Sequence, residues 1–497
     1  MRIIALLTIC LLFISAPHSA YSEDKRLKGL DAFIQKAMEE YGVPGASVAV
    51  VKDNDAIYLK GFGLRKTGSE LKVDENTIFQ LASVTKTFTA ASVGVMVDQG
   101  KLGFDEEVIN IIPYFALKDP YPTRYTTPRD LLAHRTGLPA FTGDLLDHLG
   151  YSREEVIRKV RFVEPACSFR EEANYSNIGF FLAGEAAAIA AGSSWEDLVR
   201  ASLLKPLAMN RSGFTAGIEK SSNAALPHAV IDGETRPVPY NKQLVLAPAG
   251  AMTSTAADMA QYMIMLLDGG KYLGREVLKP ETVRQMYTAS MVDEPGFAEL
   301  PPISVNTGFD YGLAWGIYYW KNHKILEKGG ALDGMRSITV LVPELKLGIT
   351  VLANMNLTVL PEAIRAYILE QYLGKAEYDI QAEIKDRSEK ISAMLNLDGT
   401  PKIKNPKPPS LDLRGYTGSY ENDLYGVFTI VLNDGDLSVL AGPVQYKGTL
   451  THVNFDTFHL DWPIVINVPD ETTFVINSEG KVTEFITESL GTFKRTE

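Results

Sequence analysis

The chain has 497 residues, of which 45% are apolar and 22% charged, long enough for two or three domains and a large buried core and ordinary for a globular protein. A formal net charge of −12 and the lack of any basic stripe interleaved with aromatics exclude nucleic acid as the expected partner.

Residues 1–22 read as a secretory signal, with Arg2, an apolar core at 3–16 and small residues at Ser19, Ala20 and Ser22 for the cut. The apolar stretch is shorter than the roughly 20 residues a membrane span needs, so the expectation is an exported protein, periplasmic or secreted, with no stable span after cleavage. Cys10 lacks the small residues that lipid attachment requires before it. Removal of the signal leaves Cys167 alone, so no intrachain disulfide is expected, and Cys167 reads as a small buried residue.

Residues 26–42 pattern as an amphipathic helix closed by Gly42-Val43-Pro44-Gly45, and 46–51 and 57–59 as strands around a turn at Asp53-Asn54-Asp55. Next comes Ser83-Val84-Thr85-Lys86. The same Ser-x-x-Lys spacing recurs at Ser22, Ser69, Ser202 and Ser478, but only Ser83 opens a sustained helical pattern. Phe88, Ala91, Ser92 and Val95 recur at i, i+3, i+4 and i+7, and Gly100 is the stop. A serine at a buried helix N-terminus with a lysine one turn later brings a hydroxyl and an amine onto one face, in the positive field that favours an alkoxide. Burial would lower the lysine's proton affinity toward that of a base.

A helix-rich stretch follows to about residue 270. Within it Tyr175-Ser176-Asn177 precedes the apolar run 180–184, which puts Tyr175 and Asn177 on a loop leading into a helix. Strand-like segments lie near 311–320, 337–342 and 348–352, with Lys328-Gly329-Gly330-Ala331 between the first two. Together with 46–59 they predict a sheet completed from both ends of the region. A charged helical piece runs from 376 to 397, and the Pro/Lys-rich stretch 401–410 is a stiff linker. Residues 411–497 alternate apolar and polar positions and turn at Asn433-Asp434-Gly435-Asp436, the pattern of a small all-β domain, barrel or sandwich.

Taken in order, Ser83-x-x-Lys86, Tyr175-x-Asn177 and Lys328-Gly329-Gly330 resemble the serine β-lactamase and penicillin-binding-protein superfamily, in its class C-like branch. Residues 127–139, Pro248-Ala249-Gly250-Ala251-Met252 and Tyr311-Gly312-Leu313-Ala314-Trp315-Gly316 are similar to that family as well. Lys66-Thr67-Gly68 and Tyr420-Glu421-Asn422 are decoys by position. The resemblance implies an α/β fold, an antiparallel sheet flanked by helices plus an all-helical subdomain, over residues 23–375. Residues 376–410 would then link it to a lipocalin-like barrel at 411–497.

The resemblance further implies acyl transfer without metal or cofactor. Ser83 would be the nucleophile, Lys86 and Tyr175 the proton shuttle, and the backbone N–H groups of Ser83 and Ala331, beside Gly330, an oxyanion hole. Asn177 would orient Lys86 or the substrate, and Lys328 would tune the site and hold a substrate carboxylate. The family's β-lactamases carry Lys-Thr-Gly where this chain has Lys328-Gly329-Gly330, so the hydroxyl that grips such a carboxylate is missing. The expectation is therefore a D-amino-acid peptidase, amidase or esterase on a small or peptide-like substrate, with a true β-lactamase or DD-carboxypeptidase as the alternative and oligomerisation open. A non-catalytic penicillin-binding scaffold or sensor is the alternative of another class. Arg336 reads as a surface strand residue and His134 as a turn stabiliser. No Gly-x-Ser-x-Gly elbow and no His-Glu-x-x-His motif favours another hydrolase chemistry.

Overall fold

Side chains on successive strand residues point to opposite faces of a sheet, and here that alternation sorts two cores. In the computed structural model, which describes residues 24–242, 245–293, 308–396, 403, 405–463 and 470–496, Val48 and Val50 of one strand face one core while Ala49 and Val51 face the other. The signal segment lies outside the described residues.

The first helix, α1 (Leu30–Glu40), leads into β1 (Gly45–Lys52) and β2 (Asp55–Gly63). The later strands are β3 (Met291–Asp293), β4 (Phe309–Tyr311), β5 (Gly316–Trp320), β6 (His323–Leu332), β7 (Met335–Val342) and β8 (Leu347–Ala353). They form one antiparallel sheet of eight strands in the order β3-β4-β5-β6-β7-β8-β1-β2, completed from both ends as the sequence pattern predicts. One face is covered by α1 and by the helix Leu360–Leu373; the other is covered by the helix Ala256–Leu267 and the helical middle of the chain.

Two helices carry that middle. The helix Thr85–Asp98 is apolar or small nearly all round and buried along most of its length, as a helix through a domain centre must be. It packs on the helix Asn177–Ala191 and on the short helix Ala247–Gly250. The helices Asn177–Ala191 and Ala247–Gly250 also meet each other, and Gly184 permits that approach, because a Cβ there would lie 2.5 Å from Cβ of Pro248. Among the described residues no single helix is long and apolar enough to cross a membrane.

The charged helix Ile380–Asn396 follows, and residues 405–410 lead into the C-terminal unit without regular structure, Lys407 N–H donating to Asn454 Oδ1 at 2.9 Å. That unit is a closed antiparallel barrel of eight strands, from Gly418–Asn422 to Gly491–Arg495, which settles barrel over sandwich. Tyr420, Phe428, Phe458, Phe474, Phe485 and Phe493 are all buried in it, and each packs on at least one other of these rings with centroids 4.4 to 6.2 Å apart. The interior is thus filled by side chains. Tyr420, the decoy tyrosine, is one of these core rings.

Candidate active site

Ser83 sits on a single 3-10 turn, Ala82–Val84, that feeds the buried helix Thr85–Asp98. The residue before it, Ala82, is held at φ 49°, a left-handed conformation that costs an alanine about 1–2 kcal/mol. The strained turn is pinned by its neighbours. Ser337 Oγ donates to Leu81 O at 2.6 Å, and Gly330 of β6 lies so close that a Cβ there would fall 2.4 Å from Leu81 O and 3.0 Å from Cβ of Ala82. Gly330–Ala331 is therefore laid edge-on against the serine turn.

One helical turn on, Lys86 is wholly buried. Its Nζ donates to Ser83 Oγ at 3.1 Å, to Asn177 Oδ1 at 2.7 Å and to Ala249 O at 2.9 Å. Tyr175 reaches the same serine from the other side, its hydroxyl donating to Ser83 Oγ at 2.6 Å. Asn177 is the first residue of the helix Asn177–Ala191, capped by Ser176 Oγ, so the Tyr175 loop ends one residue earlier than the sequence pattern predicts. The distant Lys328 completes the group: its Nζ bonds Tyr311 Oη at 2.8 Å and lies 4.9 Å from the Tyr175 ring centre, while Lys86 Nζ lies 4.8 Å from that ring. Two lysine nitrogens thus lie near one phenol ring whose hydroxyl touches the serine.

The surroundings of Tyr175 are built by His134. Its Nδ1 accepts from Ser176 N–H at 3.0 Å, its carbonyl accepts from Asn174 N–H at 2.8 Å, and its ring packs 4.6 Å from that of Tyr175. Burial, together with the nearby cations Lys328 and Lys86, drives the imidazole's proton affinity well below its ordinary value, so it stays neutral. Phe141 N–H donates to Tyr175 O at 2.9 Å, and the Phe141 ring, 60% exposed, lies 5.2 Å from the Tyr175 ring at the rim.

Behind Lys86, Asp144 Oδ2 accepts from Asn177 Nδ2 at 2.7 Å. Burial raises the Asp144 carboxyl to about 7 against the opposing pull of Asn177 and Lys86. The structure therefore brings together Ser83, Lys86, Tyr175, Asn177, Lys328, Gly330 and Ala331, and adds His134, Tyr311, Asp144 and the carbonyl of Ala249. Tyr311 and Ala249 lie in segments whose family likeness is legible in the sequence. Asp144 carries no sequence signal.

Arg336 is not a surface residue. It is 5% exposed, pairs with Glu362, and donates to Thr358 O and Gly330 O, both at 3.1 Å. Cys167 is half-buried rather than fully buried and accepts from Asn174 Nδ2 at 3.2 Å. Lys66-Thr67-Gly68 forms a turn after β2, where Thr67 N–H is taken by His228. Among the described residues no three His, Cys, Asp or Glu side chains are grouped to hold a metal ion.

The family model described as Beta-lactamase matches residues 30–373, and a model described as Domain of unknown function (DUF3471) matches residues 402–496. The chain is similar to the unguisins hydrolase ungD of Aspergillus violaceofuscus, 26% identical over 461 residues that cover 86% of this chain and 81% of that protein. It is 28% identical over 316 residues to penicillin-binding protein 4 of Amycolatopsis lactamdurans, covering 61% of this chain and 79% of that one. Its fold is shared with the octameric penicillin-binding protein homologue from Pyrococcus abyssi, at a TM-score of 0.62 and 24% identity over 94% of this chain and all of that one.

Proposed function

Since the chain belongs to the Beta-lactamase family of serine hydrolases, we propose that it cleaves an amide or ester through an acyl-enzyme on Ser83, as a peptidase, amidase or esterase rather than an efficient β-lactamase. The observation that carries this reading is the meeting of Tyr175 and Lys86 on one oxygen, Ser83 Oγ, at 2.6 and 3.1 Å. In the reaction Tyr175, as phenolate, takes the serine proton while Oγ bonds to the substrate carbonyl carbon. A phenol with an ordinary pKa of about 10 reaches that state near neutrality only if cations hold it, and Lys86 and Lys328 are the cations in place. Tyr175 then passes the proton to the leaving nitrogen or oxygen as the C–N or C–O bond breaks. Water repeats the sequence to free the acid.

The oxyanion on the tetrahedral intermediate would lie between the backbone N–H groups of Ser83 and Ala331, which the close seating of Gly330 on the serine turn supports. The substrate preference rests on what is missing. The Thr hydroxyl of Lys-Thr-Gly is absent, and Arg336, turned under β6 onto Glu362, cannot replace it. That leaves Lys328 as the carboxylate-binding cation, which disfavours the carboxylate-bearing β-lactams and D-Ala-D-Ala ends relative to neutral esters and amides.

Hydrolysis of nitrocefin, p-nitrophenyl butyrate and D-alanyl p-nitroanilide by the mature protein and by Ser83→Ala tests the reading. Ester or amide turnover should exceed nitrocefin turnover and vanish in the variant; equal rates in both proteins refute it. A non-catalytic scaffold would fail to react with a fluorophosphonate probe. We also propose that the protein is exported, which N-terminal sequencing of protein from the producing cells' periplasm or medium would check against a cut near Ser22.

A further inference from the structure

Lys86 is held, besides Ser83, by Asn177 Oδ1 and Ala249 O, and both acceptors trace back to one short turn, Asp144–Asp147. At its start Asp144 takes the Nδ2 hydrogen of Asn177, which obliges the amide oxygen to face the ammonium. At its end Asp147 Oδ1 accepts from the N–H groups of Val245 and Leu246, at 2.7 and 2.8 Å. Those bonds fix the entry to the short helix Ala247–Gly250, which presents Ala249 O to Lys86.

The same turn is gripped from outside by the barrel. Tyr425, in the connection between the barrel strands Gly418–Asn422 and Gly426–Asn433, is buried, and its hydroxyl accepts from Gly143 N–H, the residue that opens the turn, at 3.2 Å. Just past the turn, Tyr151 Oη donates to Tyr425 O at 3.0 Å and Val444 N–H to Leu149 O at 3.3 Å, while His148 stacks on Tyr446 with ring centres 5.3 Å apart. An appended domain that merely sat beside the site would not contact the very segment that aims the lysine.

We infer that the C-terminal barrel works in the reaction: through Tyr425 it holds the Asp144–Asp147 turn, and Asp144 and Asp147 are the positioning residues for Lys86. This rests on the acyl-enzyme reading of Ser83. It also predicts a pH signature. The groups facing Asp144 are Lys86, Asn177, Asp147 on its own turn and Tyr425 from the barrel. As a carboxylate, Asp144 can only accept and so fixes the Asn177 amide. As an acid, it can donate to Asn177 Oδ1 and turn the NH2 toward the ammonium. The reactivity of Ser83 therefore rises as pH climbs through about 7.

The test reads the rate of fluorophosphonate labelling of the full chain against pH, which needs no knowledge of the natural substrate. Tyr425→Phe keeps the ring and removes the acceptor; it should label about five- to tenfold more slowly while its near-UV circular dichroism stays that of the wild type. Asp144→Asn keeps an oxygen for Asn177 and removes the titration, so it should label well above Asp144→Ala and lose the inflection near 7. A Tyr425→Phe rate equal to wild type, or Asp144→Asn and Asp144→Ala indistinguishable with the inflection intact, overturns the inference. Ser83→Ala, run alongside, separates the failures: if it labels like the wild type the acyl-enzyme reading falls, and if it is inert while the other variants label at full rate only the role of the barrel falls.

Discussion

Gly330→Ala isolates the geometry on which the proposed chemistry depends. The added Cβ would stand 2.4 Å from both Leu81 O and Ser337 Oγ, so β6 must retreat from the serine turn by about 1 Å to reach ordinary contact, a displacement that can cost 10²-fold in rate. Misaligning an oxyanion donor alone is typically worth about 10²–10³ in kcat, and the overpacking should cost about 1–3 kcal/mol of stability. Steady-state hydrolysis of the best ester in the panel should therefore fall by about two orders of magnitude, with a lowered melting temperature. The double variant Gly330→Ala/Ser337→Gly removes one of the two close contacts but leaves the carbonyl of Leu81 in place. Because it also removes the Ser337 hydrogen bond that pins Leu81 O, it should recover little of the rate. A Gly330→Ala enzyme within about threefold of wild type, on the scale where an aligned donor is worth at least 10², would show that the approach of β6 to Ser83 is not what prepares the oxyanion site.

His134 stays neutral in the folded chain, whereas an unfolded histidine takes up its proton near about 6.5, so this residue removes stability as pH falls below that value and contributes nothing above it. Urea midpoints of wild type and His134→Asn, which keeps an acceptor for Ser176 N–H, should converge or cross as pH drops from 7.5 to 5; a gap independent of pH refutes the assignment. Arg365→Met strands the buried Glu327, whose carboxylate it binds at 2.6 and 2.7 Å, and should cost about 3–5 kcal/mol in chemical denaturation. Much of that loss should return in Glu327→Gln/Arg365→Met. Phe141→Ala removes the exposed ring beside Tyr175 and should raise KM for p-nitrophenyl octanoate roughly tenfold while sparing the acetate; equal effects on both esters would rule out a wall for the apolar chain.

The parts of the site written locally in the chain were legible. Ser83 and Lys86 stand one turn apart on one helix, so spacing and apolar periodicity suffice to bring them together. The barrel strands are legible from their alternation, whereas the central strands of the main sheet, buried on both faces, show as short continuous apolar runs. Arg336 was misread because a single arginine in a strand has no local mark of burial; its partner Glu362 is on the helix Leu360–Leu373, and only tertiary packing joins them. Asp144 and Tyr425 were invisible for the same reason in stronger form: one is an acid opening a short 3-10 turn, the other a tyrosine in a turn between barrel strands, and 282 residues separate the Gly143–Tyr425 bond partners.

The electrostatic balance of the site gives these distant residues a common purpose in the proposed reaction. Lys86 and Lys328 both place their nitrogens near the Tyr175 ring, His134 beside that ring is kept neutral, and burial raises the Asp144 carboxyl to about 7. In the proposed reaction these cations first face the Tyr175 phenolate, whose charge is lost when it takes the serine proton. The negative charge then passes to the tetrahedral oxyanion, so the same field that held the phenolate stabilises the transition state, whereas a neutral ester alone draws nothing from it. Such a field acts only if the cations cannot drift toward solvent. Lys86 is denied that by its burial and by the two acceptors anchored through the Asp144–Asp147 turn, and that turn is secured in part from the barrel.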